Sequence, residues 1–170
     1  MKNKNQITVN MENLTNEERE QLLKLVKKSN EQQPKKRWRG EYDEEYYFID
    51  YCNKIDAWKE LNYKTDKGLY ELGNYFKTEE EAEFELNKRL VYQELKDYAL
   101  EHNENDVDWT NVNQLKWGIF YDNESKCLDY DYWYTRCYIG QIHFYSEETA
   151  REAVKAVGEN RIKKYLFGVE

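Results

Sequence analysis

Residues 70–82 read YELGNYFKTEEEA, and residues 138–150, which lie 68 positions further along the chain, read YIGQIHFYSEETA. At this offset a Tyr, a Phe, two Glu and an Ala coincide, and Thr78 corresponds to Ser146. In both segments an aromatic residue closes a predicted strand, and a hydroxyl residue then caps a helix whose first turn is acidic. The pattern predicts that one strand-to-helix junction occurs twice in tandem.

Short segments rich in aromatic and β-branched residues flank each junction and predict strands. Before the first junction these segments are 46–51, 55–61 and 68–76, and before the second they are 115–121, 127–134 and 137–144. After each junction the apolar residues recur at helical spacing, first up to about His102 and later up to Gly158, which is placed to end the helix. We therefore expect an α+β fold of two tandem antiparallel β-meander-plus-helix units, with a short last helix over 161–167.

The chain divides into a basic N-terminal arm and an acidic body. Residues 1–39 contain ten Lys and Arg against five Glu, a net charge of +5, whereas the whole chain carries −8, so residues 40–170 carry −13. Thr15 and Glu18 have the spacing of a capping box and predict a helix over about 16–28. The expected divisions are an arm over 1–37, a first unit over 38–102 and a second unit over 111–170.

The sequence offers no recognisable catalytic motif. It has no Gly-rich phosphate loop and no serine nucleophile elbow. Three cysteines without paired spacing favour neither disulfides nor a zinc site, and we interpret Cys137 as a core residue and His143 as a surface residue. Two catalytic hypotheses have little support. One is a loose nuclease-like set, Glu124 and Lys126 with Asp106 or Asp108, and the other is a pair of glycosidase carboxylates that no pattern singles out. We expect no enzyme, no metal and no cofactor.

The expected cellular compartment of the protein follows from the lack of long apolar segments in the sequence. The longest apolar run is the four residues 46–49, far short of the ~20 needed to span a membrane. No apolar segment follows the basic start of the chain, so we expect no secretory signal and a cytoplasmic location in a bacterial host cell.

The most distinctive segment is residues 128–134, LDYDYWY. On a strand, the side chains of Asp129, Asp131 and Trp133 share one face, and those of the alternating tyrosines share the other. One interpretation is that one face is core while tyrosine hydroxyls reach the rim. The other is a partner-binding surface, because Tyr and Trp dominate interface hot spots and carboxylates attract a basic partner. The candidate partner-binding residues are Asp129, Tyr130, Asp131, Tyr132, Trp133, Tyr134, Glu44, Glu45 and Tyr46.

Nucleic acid is not expected to bind the body, since a net charge of −13 repels phosphates. The basic residues before it are the candidate nucleic-acid contacts: Lys35, Lys36, Arg37 and Arg39.

Several short motifs give the chain a resemblance to known sequences. These motifs are Trp38-x-Gly40, Tyr46-Tyr47-x-Ile49, residues 73–83 (GNYFKTEEEAE) and residues 159–168 (ENRIKKYLFG). Together they resemble a family of small phage and mobile-element proteins of low-GC Gram-positive bacteria, a family without a settled function. The motifs lie at strand ends and helix caps, so no catalytic residue transfers. The resemblance implies a setting among accessory phage genes, some of which block host defences.

These observations lead us to expect a phage or mobile-element accessory protein that binds and inhibits a host protein with a basic surface, such as a CRISPR nuclease or another nucleic-acid-handling defence effector. Two alternatives stay open. One is a module that sequesters a nucleotide signal, which needs a pocket with convergent cations such as Arg89 or Arg136. The other is a structural protein that forms homo-oligomers through exposed strand edges.

Overall fold

A computed structural model describes residues 14–30, 37–105 and 107–169 and confirms the α+β class. The chain divides after Trp38 into two units. No helix in these described ranges is long and apolar enough to cross a membrane.

The first unit contains helix α1, Asn16–Asn30. Its predicted capping box is present: Thr15 N–H donates to the Glu18 carboxylate at 2.8 Å, and Glu18 N–H donates to Thr15 Oγ1 at 3.3 Å. Leu23 and Leu25 of this helix are exposed. The described contacts that hold its first turn are therefore those of the cap.

The second unit contains two antiparallel hairpins, each forming a separate two-stranded sheet. Strands β1 (Glu45–Ile49) and β2 (Ile55–Lys59) form the first, and β3 (Lys116–Asp122) and β4 (Cys127–Trp133) form the second. Asn53 and Lys126 adopt positive φ in the two connecting turns. These four strands confirm the sequence prediction.

The predicted strand over 68–76 is wrong. Most of its first half belongs to helix α2, Lys64–Glu71. The helix starts here because the Asp66 carboxylate accepts hydrogen bonds from the N–H groups of Leu61 and Tyr63, at 3.0 and 2.8 Å. Only Phe76 keeps a strand-like pairing, with Tyr47, through two backbone hydrogen bonds of 2.8 and 2.9 Å.

The predicted strand over 137–144 is wrong for a similar reason. A turn closed by the hydrogen bond from Gln141 N–H to the Tyr138 carbonyl, with Gly140 at a φ of 75°, interrupts it. Only Phe144 pairs, with Trp117, at 2.9 and 3.0 Å. Each predicted meander is thus a hairpin plus one bridging Phe, and this Phe is the residue that coincides in the two sequence segments.

A long helix follows each bridging Phe, as predicted. Helix α3 spans Glu79–His102, and the Thr78 hydroxyl accepts from Glu81 N–H at 3.3 Å. Helix α4 spans Glu147–Val157, and the Ser146 hydroxyl accepts from Thr149 N–H at 3.1 Å. Gly158 ends α4 with a φ of 102°. Helix α5 (Glu159–Ile162) and a π-helical turn (Lys163–Phe167) then take the place of the predicted last helix.

One hydrophobic cluster joins the long helix of the first repeat to the second repeat. It combines Val91, Leu95 and Ala99 of α3 with Leu128 of β4, Phe144, the buried face of α4 and Ile162. The predicted units 38–102 and 111–170 are therefore parts of one unit, Arg39–Glu170, in which the first repeat supplies the helix that covers the second hairpin.

Candidate partner-binding surface

The register of the second hairpin separates the candidate residues of β4 onto two faces. Tyr130 lies opposite Ile119, and Tyr132 lies opposite Trp117. Tyr130, Ile119 and Trp117 pack against the hydrophobic core, so this is the inner face. Asp129 lies opposite Phe120, Asp131 opposite Gly118 and Trp133 opposite Lys116, and these residues form the outer face. The predicted alternation is confirmed.

The carboxylates of Asp129 and Asp131 line the open edge of β4. Each accepts a hydrogen bond of 2.8 Å from the backbone N–H of the following residue, Tyr130 or Tyr132. Neither carboxylate forms an ion pair with a side chain in the described part of the chain. Both are exposed, so their negative charge is available to a partner.

The first hairpin repeats this arrangement. The Asp56 carboxylate on β2 accepts a hydrogen bond of 2.9 Å from Ala57 N–H. In each hairpin the inner strand, β1 or β3, pairs on its far side with the bridging Phe, whereas β2 and β4 have an open edge among residues 14–30, 37–105 and 107–169. Aspartates therefore occupy backbone donors on both open edges, and this limits pairing with another strand.

Aromatic side chains accompany these two carboxylates on both faces of the strand. Tyr132 and Tyr134 are 42% and 46% exposed, and their rings meet edge to face with centroids 5.8 Å apart. On the outer face, the Trp133 ring lies edge-on to Phe120 at 4.9 Å and to Tyr138 at 5.1 Å. We call Asp129, Asp131, Tyr132, Trp133 and Tyr134 the β4 surface.

Tyr130 does not belong to this surface. Its ring packs against the core, and the guanidinium of Arg151 covers it at 4.2 Å. Burial raises the pKa of its hydroxyl. Tyr130 therefore stabilises the hairpin against α4 and is not placed to contact a partner.

Tyr46, another predicted contact residue, is fully buried and the prediction for it is wrong. Its ring stacks on Tyr75 at 3.9 Å, and its hydroxyl donates to Asp66 at 2.9 Å. Glu44 and Glu45 are exposed on the first hairpin, which is a sheet separate from β4.

The buried polar network around Tyr46 was not predicted. Glu60 is 1% exposed, and its carboxylate accepts hydrogen bonds from Arg39, Tyr75 and Asn62 N–H. The Arg39 guanidinium holds the pKa of Glu60 below its usual range, and burial raises the pKa of Tyr75 to about 12. Every carboxylate here has partners, so the network is a stabilising feature of the fold.

The structure removes Arg39 from the candidate nucleic-acid contacts, because its guanidinium is bound to Glu60 at 2.9 and 3.2 Å. Arg37 is exposed and lies in the other unit. Lys35 and Lys36 lie outside the described residues.

The predicted locations of Cys137 and His143 are reversed. Cys137 is exposed, as are Cys52 and Cys127, whereas His143 is 8% exposed. Within the described ranges, no group of three or more His, Cys, Asp and Glu side chains is arranged to hold a metal ion.

Sequence reasoning also missed Lys116, which is fully buried at the start of β3. Its ammonium donates to the carbonyls of Asn111, Gln114 and Tyr134 at 3.0–3.1 Å. The sequence signal for this burial was a lysine within an aromatic strand segment, residues 115–121 (LKWGIFY).

Comparisons with protein-family models, with curated proteins and with solved structures find no match to this chain.

Proposed function

We propose that this chain is a phage or mobile-element accessory protein that acts in the host cytoplasm and inhibits a host protein with a basic surface. Candidate targets are CRISPR nucleases and other nucleic-acid-handling defence effectors. The observation that carries the proposal is the β4 surface, where two exposed carboxylates share one short segment with the exposed Tyr132 and Tyr134 and the half-buried Trp133. The carboxylates would occupy a site that otherwise binds phosphates, and the aromatic rings would supply contact area.

The net charge of the body supports the same choice of partner. A charge of −13 over residues 40–170 accelerates encounter with a basic protein and repels nucleic acid. Self-association through strand edges is less well supported, because Asp56, Asp129 and Asp131 occupy edge N–H groups on both open strands.

The test is binding to purified candidate effectors at increasing salt concentration. The variant D129N/D131N removes two charges but keeps side-chain oxygens that accept the edge hydrogen bonds. A control, E83Q/E101Q, makes the same change of charge on the exposed side of α3. We expect affinity to fall with salt and to fall further in D129N/D131N than in the control. Binding that ignores salt, equal loss in both variants, or no binding to any effector would refute the proposal.

A further inference from the structure

A cavity of about 480 Å³ lies between the second half of α3, residues 107–109 and residues 141–143 of the segment that leads to Phe144. Its lining includes Lys96, Asn103, Trp109, Gln141 and His143. Small-ligand sites commonly have volumes of about 300–1,000 Å³ and combine an apolar wall with a few polar groups. The volume and the lining are therefore those of a site for a small organic molecule.

His143 has unused hydrogen-bonding capacity in this cavity. It is 8% exposed, and neither ring nitrogen has a hydrogen-bond partner among the described residues. The rings of Trp109 and Trp133 meet it edge-on, with centroids at 4.8 and 6.5 Å. Burial, and then the charge of Lys116, lower the pKa of His143. The imidazole is therefore neutral at neutral pH and presents one donor and one acceptor.

Gln141 adds a third unused group. Its Oε1 is buried and has no partner in the part of the chain that the structure describes, and the residue lines the same cavity two positions before His143. A buried polar group without a partner destabilises the fold. A ligand would remove this penalty by pairing with one imidazole nitrogen and with the amide oxygen, and its edge must then carry a donor for the oxygen beside a donor or an acceptor for the imidazole.

We propose that this cavity binds a nucleobase, as part of a nucleoside or a nucleotide. A base edge carries donors and acceptors side by side, which matches His143 and Gln141, and its flat face can contact the indole of Trp109, which is 44% exposed. Lys96 is an exposed cation in the lining, beside the exposed carboxylate of Asp97, and is the candidate contact for a phosphate. Arg89 and Arg136, the cations expected from the sequence, do not line this cavity. This site is additional to the β4 surface.

The experiment is a titration of the full chain with adenosine, guanosine, cytidine and uridine and with their 5′-monophosphates. Binding is measured by calorimetry and by tryptophan fluorescence. We expect at least one nucleoside to bind. H143F and Q141L should each lower the affinity for that nucleoside by about tenfold, the equivalent of one lost hydrogen bond. H102F is the matched control, because His102 is exposed and lies outside the cavity lining.

Tighter binding of the monophosphate than of its nucleoside would identify a nucleotide as the ligand, with Lys96 at the phosphate, and equal binding would identify a nucleoside. H143F removes no hydrogen bond seen within the described ranges and should fold. Q141L gives an independent result if H143F does not fold. The proposal is overturned if none of these ligands binds, or if the cavity variants bind as tightly as H102F.

Discussion

The guanidinium of Arg39 holds the buried carboxylate of Glu60 through two hydrogen bonds of 2.9 and 3.2 Å, across 21 positions of sequence. Glu60 follows β2, and Arg39 is the first residue of the second unit. The pair therefore attaches the start of that unit to the end of the first hairpin.

We expect R39M to destabilise the protein by about 2 kcal/mol, because it leaves a carboxylate buried without its cation. The figure lies below the usual range for a buried pair, since the Arg39 side chain is 36% exposed and water can replace part of the interaction. Chemical denaturation gives the free energy of unfolding. K59M, which breaks the exposed ion pair with Asp43 at 2.9 Å, is the control and should cost less than about 0.5 kcal/mol. Equal losses in the two variants would contradict the assignment.

The hydroxyl of Tyr46 should contribute more to the free energy of unfolding than the hydroxyl of Tyr47. Y46F removes the buried hydrogen bond to Asp66 and should cost about 1–3 kcal/mol. Y47F removes an exposed hydrogen bond to Glu45 and should leave the free energy of unfolding almost unchanged. Thermal denaturation of the two variants provides the comparison, and a Y46F as stable as Y47F would show that the buried network contributes little.

Stability should fall as the pH falls from 7 to 5, and His143 should cause part of the loss. Its pKa is lower in the folded chain than the ordinary value of about 6.5, so the unfolded chain binds more protons below that pH. The contribution of the neutral His143 to stability is therefore complete above pH 6.5 and is lost as the pH falls towards the pKa that His143 has in the folded chain. Melting temperatures across this range provide the measurement. H143F should show a smaller decrease than the native chain, and parallel curves would exclude His143 as the source.

Removing the aspartates from the β4 edge should promote self-association. D129V/D131V eliminates two carboxylates and frees the N–H groups of Tyr130 and Tyr132, which then offer an open edge to a second copy. Sedimentation velocity should show dimers or larger species that are rare in D129N/D131N, where the amide oxygens still accept these hydrogen bonds. If both variants remain monomeric at the same concentration, the hydrogen bonds do not protect the edge.

The candidate surface was only partly predictable from the sequence. The alternation along 128–134 placed Asp129 and Asp131 together, because side chains on a strand alternate without regard to the rest of the fold. The same rule did not show which face of β4 is covered. The ring of Tyr130 is covered by Arg151 of α4, which lies about twenty positions later in the chain. The buried hydroxyl of Tyr46 likewise bonds to the distant Asp66.

The features that could be predicted from the sequence depend on close neighbours: the caps at Thr15, Thr78 and Ser146, the two hairpins, and the end of α4 at Gly158. Their hydrogen bonds join residues a few positions apart, so composition and spacing are sufficient to predict them. Packing between distant segments sets the isolated pairing of Phe76 and Phe144, the cluster that joins α3 to the second repeat, and the burial of His143 and Lys116. These outcomes depend on which distant segments cover a residue, because burial is a property of the packed chain and not of the local sequence.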